Sequence, residues 1–359
     1  MYPAARLEKD PCYPAEPSCP EKNDEMMKNI SFSLLAFAIL LFASCGREQK
    51  SPEKTSSPPL PRVDVPSFSA DSAYAYVERQ LAFGPRVPGS EAHAACADWM
   101  EHTMKRFTDD VVVQPFRARA YNGEVLRGKN IISSFNPEKR IRILLCAHWD
   151  SRPYADHDPD PANHRLPIDG ANDGASGVGV LIEAARQFSM QTPEIGVDII
   201  FFDLEDYGPP QDVQSHGSED YWGLGSQFWS NNPHKTNYRA RYGILLDMVG
   251  VADATFLMEG FSMFYAPSTV KKIWDLAADL GYGDYFLPER GGYITDDHYY
   301  VNKIINIPTI NIIHLEKDAG NHSFFEHWHT INDNLEHIDK ATLQVVGEVV
   351  LHAVYRERI

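Results

Sequence analysis

The chain has 359 residues, 43% of them hydrophobic and 23% charged, so it can bury one large core and is neither fibrous nor disordered. Its 33 basic against 50 acidic residues give a formal net charge of -17, which argues against a nucleic-acid partner and leaves a carboxylate-rich metal site open. The five cysteines lack C-x-x-C spacing, so neither a structural zinc knot nor a disulfide-dense scaffold is signalled; Cys96 and Cys146 are either buried free thiols or a pair.

In chain order, residues 1–26 have no period and read as an unstructured extension or an over-long start. Residues 27–45 carry Lys28, an apolar run from Ile30 to Phe42 too short to span a bilayer comfortably, and small residues before Cys45. This segment resembles a bacterial lipoprotein export signal, with a plain signal peptide as the alternative because Phe42 stands where an aliphatic residue is usual. Residues 46–66 form a Pro/Ser/Lys/Glu linker, and a catalytic domain is expected over 67–359. The pattern therefore places the protein in the bacterial cell envelope, anchored through Cys45 and facing the periplasm, or soluble there.

Helical spacing appears over Ser69 to Phe83 and Ser90 to Phe107, separated by the breaker run G-P-R-V-P-G. Strands are predicted at Val111 to Phe116, Asn130 to Phe135, Ile141 to His148, Val197 to Asp203, Tyr242 to Val249, Thr255 to Met258 and Pro308 to Leu315. Further helices are predicted at Ala175 to Met190, Trp222 to Ser230, Ser268 to Leu280 and Lys340 to Tyr355. Strands that first follow one another and then alternate with helices imply a single α/β domain. Its central twisted sheet should be mixed and mostly parallel, flanked by helices and antiparallel at one edge.

The run V-D-I-I-F-F-D-L-E-D-Y reads as a central strand covered on both faces, with Glu205 and Asp206 at its carboxyl end, where α/β sheets bind ligands. Other strands deliver His148 and Asp150, Asp247, and late in the chain His329, while Asp173 stands just before a helix. Carboxylate oxygen and imidazole nitrogen without cysteine suit a catalytic zinc with an open position.

The ordered motifs H-W-D-S, G-A-N-D-G-A-S-G-V, F-F-D-L-E-D, L-L-D-M-V-G, D-D-H and W-H-T resemble the zinc aminopeptidase-like superfamily, and within it the animal-type glutaminyl-peptide cyclotransferases that also occur in bacteria. The resemblance covers roughly residues 70 to 357. It implies one zinc per chain on Asp173, Asp206 and His329, and conversion of N-terminal glutamine of peptides and exported proteins to pyroglutamate by a monomer. Glu205 would be the acid/base, and Asp247 and Asp296 the pair supporting the reacting amide nitrogen, with His314 behind Asp296. Trp328 and Phe324 would line the substrate pocket, joined by Trp222 or Tyr207.

Two departures stand out. Asp206 replaces the usual Glu, one methylene shorter, and the runs Gly208 to Tyr221 and Glu316 to Phe325 lack an obvious counterpart or are longer. The rival reading is a two-zinc aminopeptidase, because His148, Asp173, Asp206, Asp247 and His329 with Glu205 also make up that ligand set. A non-catalytic binding lipoprotein is the third class, disfavoured because no candidate ligand is missing.

Overall fold

The computed structural model describes residues 63–213, 220–316 and 324–358. The readings on residues 1–62, including the export signal, Cys45 and most of the linker, lie outside the described residues, as do parts of the two atypical runs.

Apolar runs with β-branched residues build a six-stranded sheet from β1 (Val111–Arg119), β2 (Val125–Phe135), β3 (Arg142–His148), β4 (Gly196–Phe202), β5 (Gly243–Asp247) and β8 (Thr309–Ile313), the latter numbered after two short strands described below. The spatial order is β1-β2-β4-β3-β5-β8. β1 and β2 form an antiparallel hairpin and β2 also runs antiparallel to β4, whereas β4, β3, β5 and β8 are mutually parallel. The expected mixed sheet is present. β4 is interior, at the junction between the antiparallel and parallel parts rather than wholly within the parallel part.

Every residue of β3, β4, β5 and β8 is buried, as expected of strands covered on both faces. Alternation divides them. Ile143, Leu145, Val197, Ile199, Ile244 and Leu246 join the larger core, and Leu144, Cys146, Ile200, Phe202 and Leu245 a second cluster that includes Trp229. Each such side chain contributes roughly 1.5–3 kcal/mol by leaving water. The larger core is closed by α1 (Ala70–Leu81), α2 (Glu91–Met104), α3 (Ala175–Met190), α6 (Pro267–Asp279) and α8 (Lys340–Tyr355). The opposite cluster is covered by α4 (Leu224–Asn231) and the segment after α7 (Asp297–Tyr300).

Helix starts follow their caps. Ser69, Ser90 and Asp339 accept backbone N–H groups from Ser72, His93 and Thr342, so α1 and α2 begin one residue after the serines where the pattern started them. α3 begins after Gly174 and carries Gly177, where a Cβ would stand 2.3 Å from the Leu246 carbonyl oxygen. Only glycine lets this helix lie so close to the sheet.

Several elements differ from expectation. The hairpin strands extend beyond the predicted Val111 to Phe116 and Asn130 to Phe135, because a stretch in which exposed arginines alternate with less exposed Ala118, Leu126 and Gly128 continues the pairing to Arg119 and Val125. α4 starts two residues later than Trp222, since Gly223 takes φ +56° against the Tyr300 ring. The segment at Thr255 to Met258 becomes β6 (Phe256–Met258), outside the main sheet, paired in parallel with an unexpected β7 (Phe286–Arg290). The short helix α5 (Gly260–Tyr265) and α7 were likewise not predicted, being four to six residues long. Cys96 and Cys146 are buried free thiols.

Candidate active site

A cavity of about 490 Å³ opens at the carboxyl ends of β4, β5 and β8. Asp173, Asp206 and His329 form one corner of its lining, and Glu205, Asp247 and Asp296 stand with them. Trp222, Phe324 and Trp328 are its aromatic walls. Tyr293 lines it too and was not singled out in the sequence.

The first corner has metal-ligand spacing. One donor atom each from Asp173, Asp206 and His329 lies within 4.8 Å of the others, and His329 Nε2 is 3.5 Å from Asp173 Oδ2 and 3.4 Å from Asp206 Oδ1. Two of these three candidate ligands, Asp173 and Asp206, are held by their backbone N–H groups. Asp333 accepts the N–H groups of Asn172 (2.8 Å) and Asp173 (3.0 Å), which fixes the glycine-rich loop before α3. Asp150 accepts those of Glu205 (3.1 Å) and Asp206 (3.2 Å), so it braces the acid pair and does not itself line the cavity. Leu204, Met248 and His329 have φ of +58°, +48° and +54°, each at or beside a site residue. Left-handed backbone at non-glycine residues is costly, on the order of 1–3 kcal/mol, and persists where surrounding contacts impose it.

The donor set suits zinc, being two carboxylates and one imidazole without sulfur. An observation on the site agrees: Asp206 Oδ2 is buried and has no hydrogen-bond partner, an atom that a cation would satisfy. A second trio, His148, Asp173 and Asp247, shares Asp173 with the first. His148 Nε2 lies 3.0 Å from Asp173 Oδ1 and 3.2 Å from Asp247 Oδ1.

The remaining acids hold protons unusually tightly. Burial, reinforced by the charges of Asp296 and Asp206 against the opposing His148, raises the Glu205 carboxyl well above the ordinary carboxylate range. Burial likewise pushes Asp247 up to about 7, and Asp296 is raised for the same reason. A carboxyl shifted toward neutral pH is suited to passing protons in both directions.

Two expected positions are corrected. His314 does not stand behind Asp296: Asn311 Nδ2 donates to Asp296 Oδ2 at 2.6 Å, and His314 lines a different cavity beside Phe325 and His337. Tyr207 packs among Phe116, Leu126 and Leu224 and donates to Glu124, so of the two candidates for the pocket wall it is Trp222 that lines the cavity. Around His329 the aromatic wall is continuous, with ring centroids 3.8 Å apart for Trp328 and His329 and 4.4 Å for Phe324 and Trp328. Arg152, Asp156 and Asp333 carry no sequence signal of their own, although Arg152 sits in the H-W-D-S-R run with His148 and Asp150.

Residues 130–354 match the model of peptidase family M28. Over 308 residues the chain is 26% identical to the glutaminyl-peptide cyclotransferase of Bos taurus, covering 74% of this chain and 76% of that one. Among solved structures, the glutaminyl cyclase of Tannerella forsythia is 54% identical, with TM-score 0.79, over 82% of this chain and 100% of its own. A Zn-dependent exopeptidase from Parabacteroides distasonis is 53% identical, with TM-score 0.80 and the same coverage.

Proposed function

The chain belongs to peptidase family M28, and from that premise we propose that it works as a glutaminyl-peptide cyclotransferase, closing N-terminal glutamine to pyroglutamate with release of ammonia. The observation that carries this reading is a metal-ligand trio facing a set of protonatable acids within one aromatic-walled cavity, in a chain about half identical to a glutaminyl cyclase.

Asp173, Asp206 and His329 would hold one zinc, which when bound supplies a Lewis acid for the side-chain amide oxygen. Glu205 takes a proton from the attacking α-amine and gives it to the departing nitrogen. One carbon–nitrogen bond forms as another breaks, ammonia leaves, and Glu205 returns to its starting state. Asp247 and Asp296 flank the amide nitrogen, where a carboxylate oxygen accepts its N–H. Trp222, Phe324 and Trp328 hold the side chain against the amine and exclude water, so that an intramolecular attack is oriented before it begins.

A specific observation keeps the two-zinc aminopeptidase in view: the second trio on His148 and Asp247 has the spacing of another cation site. Ammonia release from Gln-peptides, measured beside hydrolysis of Leu-anilides, separates the two. Ammonia and pyroglutamate without anilide hydrolysis is the expected result, with one zinc per chain by metal analysis. Anilide hydrolysis that tracks a second tightly held zinc would replace the cyclase reading.

The basic end at Lys28, the apolar run and the cysteine at position 45 support export and lipid anchoring to an envelope membrane, with residues 46–66 as a tether and exported proteins as substrates. Among the described residues no helix is long and apolar enough to cross a membrane. An acylated Cys45 found by mass spectrometry, and release of Cys45→Ser from membranes, are expected; a Cys45→Ser protein that stays membrane-bound rules the anchor out. A single-chain mass in light scattering would agree with a monomer.

A further inference from the structure

Arg152 lies in the loop after β3 and is 1% exposed. Each of its five N–H donors has an acceptor within reach. Nε and Nη2 donate to Asp156 Oδ1 and Oδ2, both at 2.8 Å. Nη1 reaches the Asp206 carbonyl oxygen at 3.2 Å and Asp206 Oδ1 at 3.3 Å, and Nη2 also reaches the Pro209 carbonyl oxygen at 3.4 Å. The guanidinium carbon stands 4.9 Å from the Trp222 ring centre, over the face of the cavity wall. Beyond it, Asp156 Oδ1 lies at an ion-pair distance of 3.5 Å, without a hydrogen bond, from His329 Nδ1, the ring nitrogen opposite the one that faces Asp206. One buried cation therefore touches one candidate ligand directly, a second through a carboxylate, and the aromatic wall by its face.

This arrangement answers the shortened acid. A carboxylate one methylene shorter than glutamate has less reach, so its backbone and its free oxygen must both be held in place. Arg152 contacts both the carbonyl and the carboxylate of Asp206, leaving Oδ2 unpartnered on the other side. A planar fork suits this task, whereas a lysine ammonium could not bridge two carboxylates with the same fixed geometry.

We propose that Arg152 is a positioning residue that sets Asp206 directly and His329 through Asp156 at metal-binding spacing, making the short acid a competent ligand. The proposal rests on the reading of Asp173, Asp206 and His329 as the metal site. Buried partners of this kind typically change metal affinity 10- to 100-fold when removed.

The test is zinc affinity of the full-length chelator-stripped protein, by competition with a chromogenic chelator, with a melting curve for each variant. Asp206→Asn serves as the control for the site itself. Arg152→Gln should bind zinc about 10- to 100-fold more weakly, Asp156→Asn should also weaken it, and the double variant should be no weaker than the weaker single, since both act through one unit. Arg152→Lys should fall between Arg152→Gln and the wild type. Wild-type affinity in folded Arg152→Gln or Arg152→Lys, with Asp206→Asn weakened, overturns the proposal, as do additive losses in the double variant. If Arg152→Gln does not fold, Arg152→Lys and Asp156→Asn carry the test alone. An undiminished affinity in Asp206→Asn would instead overturn the site reading beneath it.

Discussion

β4 carries buried acids at both ends, and the two ends treat them oppositely. Near its start, Asp198 is enclosed by Arg142, whose Nη2 lies 2.9 Å away, by the Ser134 hydroxyl at 2.6 Å and by the Tyr238 hydroxyl at 2.8 Å. Burial alone would raise its carboxyl, but Arg142 and these donors hold it below the ordinary range. Just past its other end, Glu205 is buried among further carboxylates and is raised well above that range. A buried acid with its cation built in belongs to the framework. Acids crowded together without enough built-in cations are set up for something that arrives, a metal or a proton in transit.

The sharpest way to break this contrast is to neutralise each end. Glu205→Gln should lower turnover by about 10²- to 10⁴-fold in an ammonia-release assay, with zinc content unchanged. Its melting temperature should equal or exceed the wild type, because a neutral amide takes the place of a carboxyl whose charged form this buried site disfavours. A variant that cyclises at the wild-type rate, or melts well below it, would erase the distinction.

At the opposite end, Asp198→Ala strands Arg142 in the interior and should cost about 3–5 kcal/mol in urea unfolding. Activity per folded molecule should be unchanged. Loss of activity without loss of stability would show that this end serves the reaction too.

The smallest effect is in pH dependence, where the ends should have opposite signs. Asp247 is raised to about 7, above its unfolded value of about 3.9, so its contribution is fully present below that value and lost as pH rises through 7. Asp198 is depressed, so its contribution is present above about 3.9 and lost as pH falls through its lower folded value. Melting of chelator-stripped protein against pH reads both. Asp247→Asn should flatten the decline between about pH 4 and 7, and Asp198→Asn the loss on the acid side. An unchanged slope in either variant removes that acid from the account.

The contrast also explains what the sequence discloses. Continuous apolar runs ending in acids mark β3, β4 and β5 because burial on both faces leaves no polar positions, and α3 is legible at both ends. β7 is not, since only Phe286 of it is buried and its side chains carry no alternating signal. The acids of the cavity stand out as acids at strand ends. Arg152 and Asp333 do not, because the contacts that tie Arg152 to Asp206 and Asp333 to the loop of Asp173 span 54 to 161 positions, and no local pattern records such distances. His314 misleads for a related reason: it stands just past the end of β8, yet it opens into another cavity while Asn311 within the strand reaches Asp296.

The grip of Asp333 on the loop of Asp173 also orders events in time. The two segments are 160 residues apart, and a contact of that span forms only after the intervening chain has largely condensed. His329 arrives with the same late segment, so the trio does not exist in a half-folded chain. A metal held by this trio would therefore not nucleate the fold as zinc nucleates a small finger, and its uptake during refolding should lag behind the appearance of the sheet.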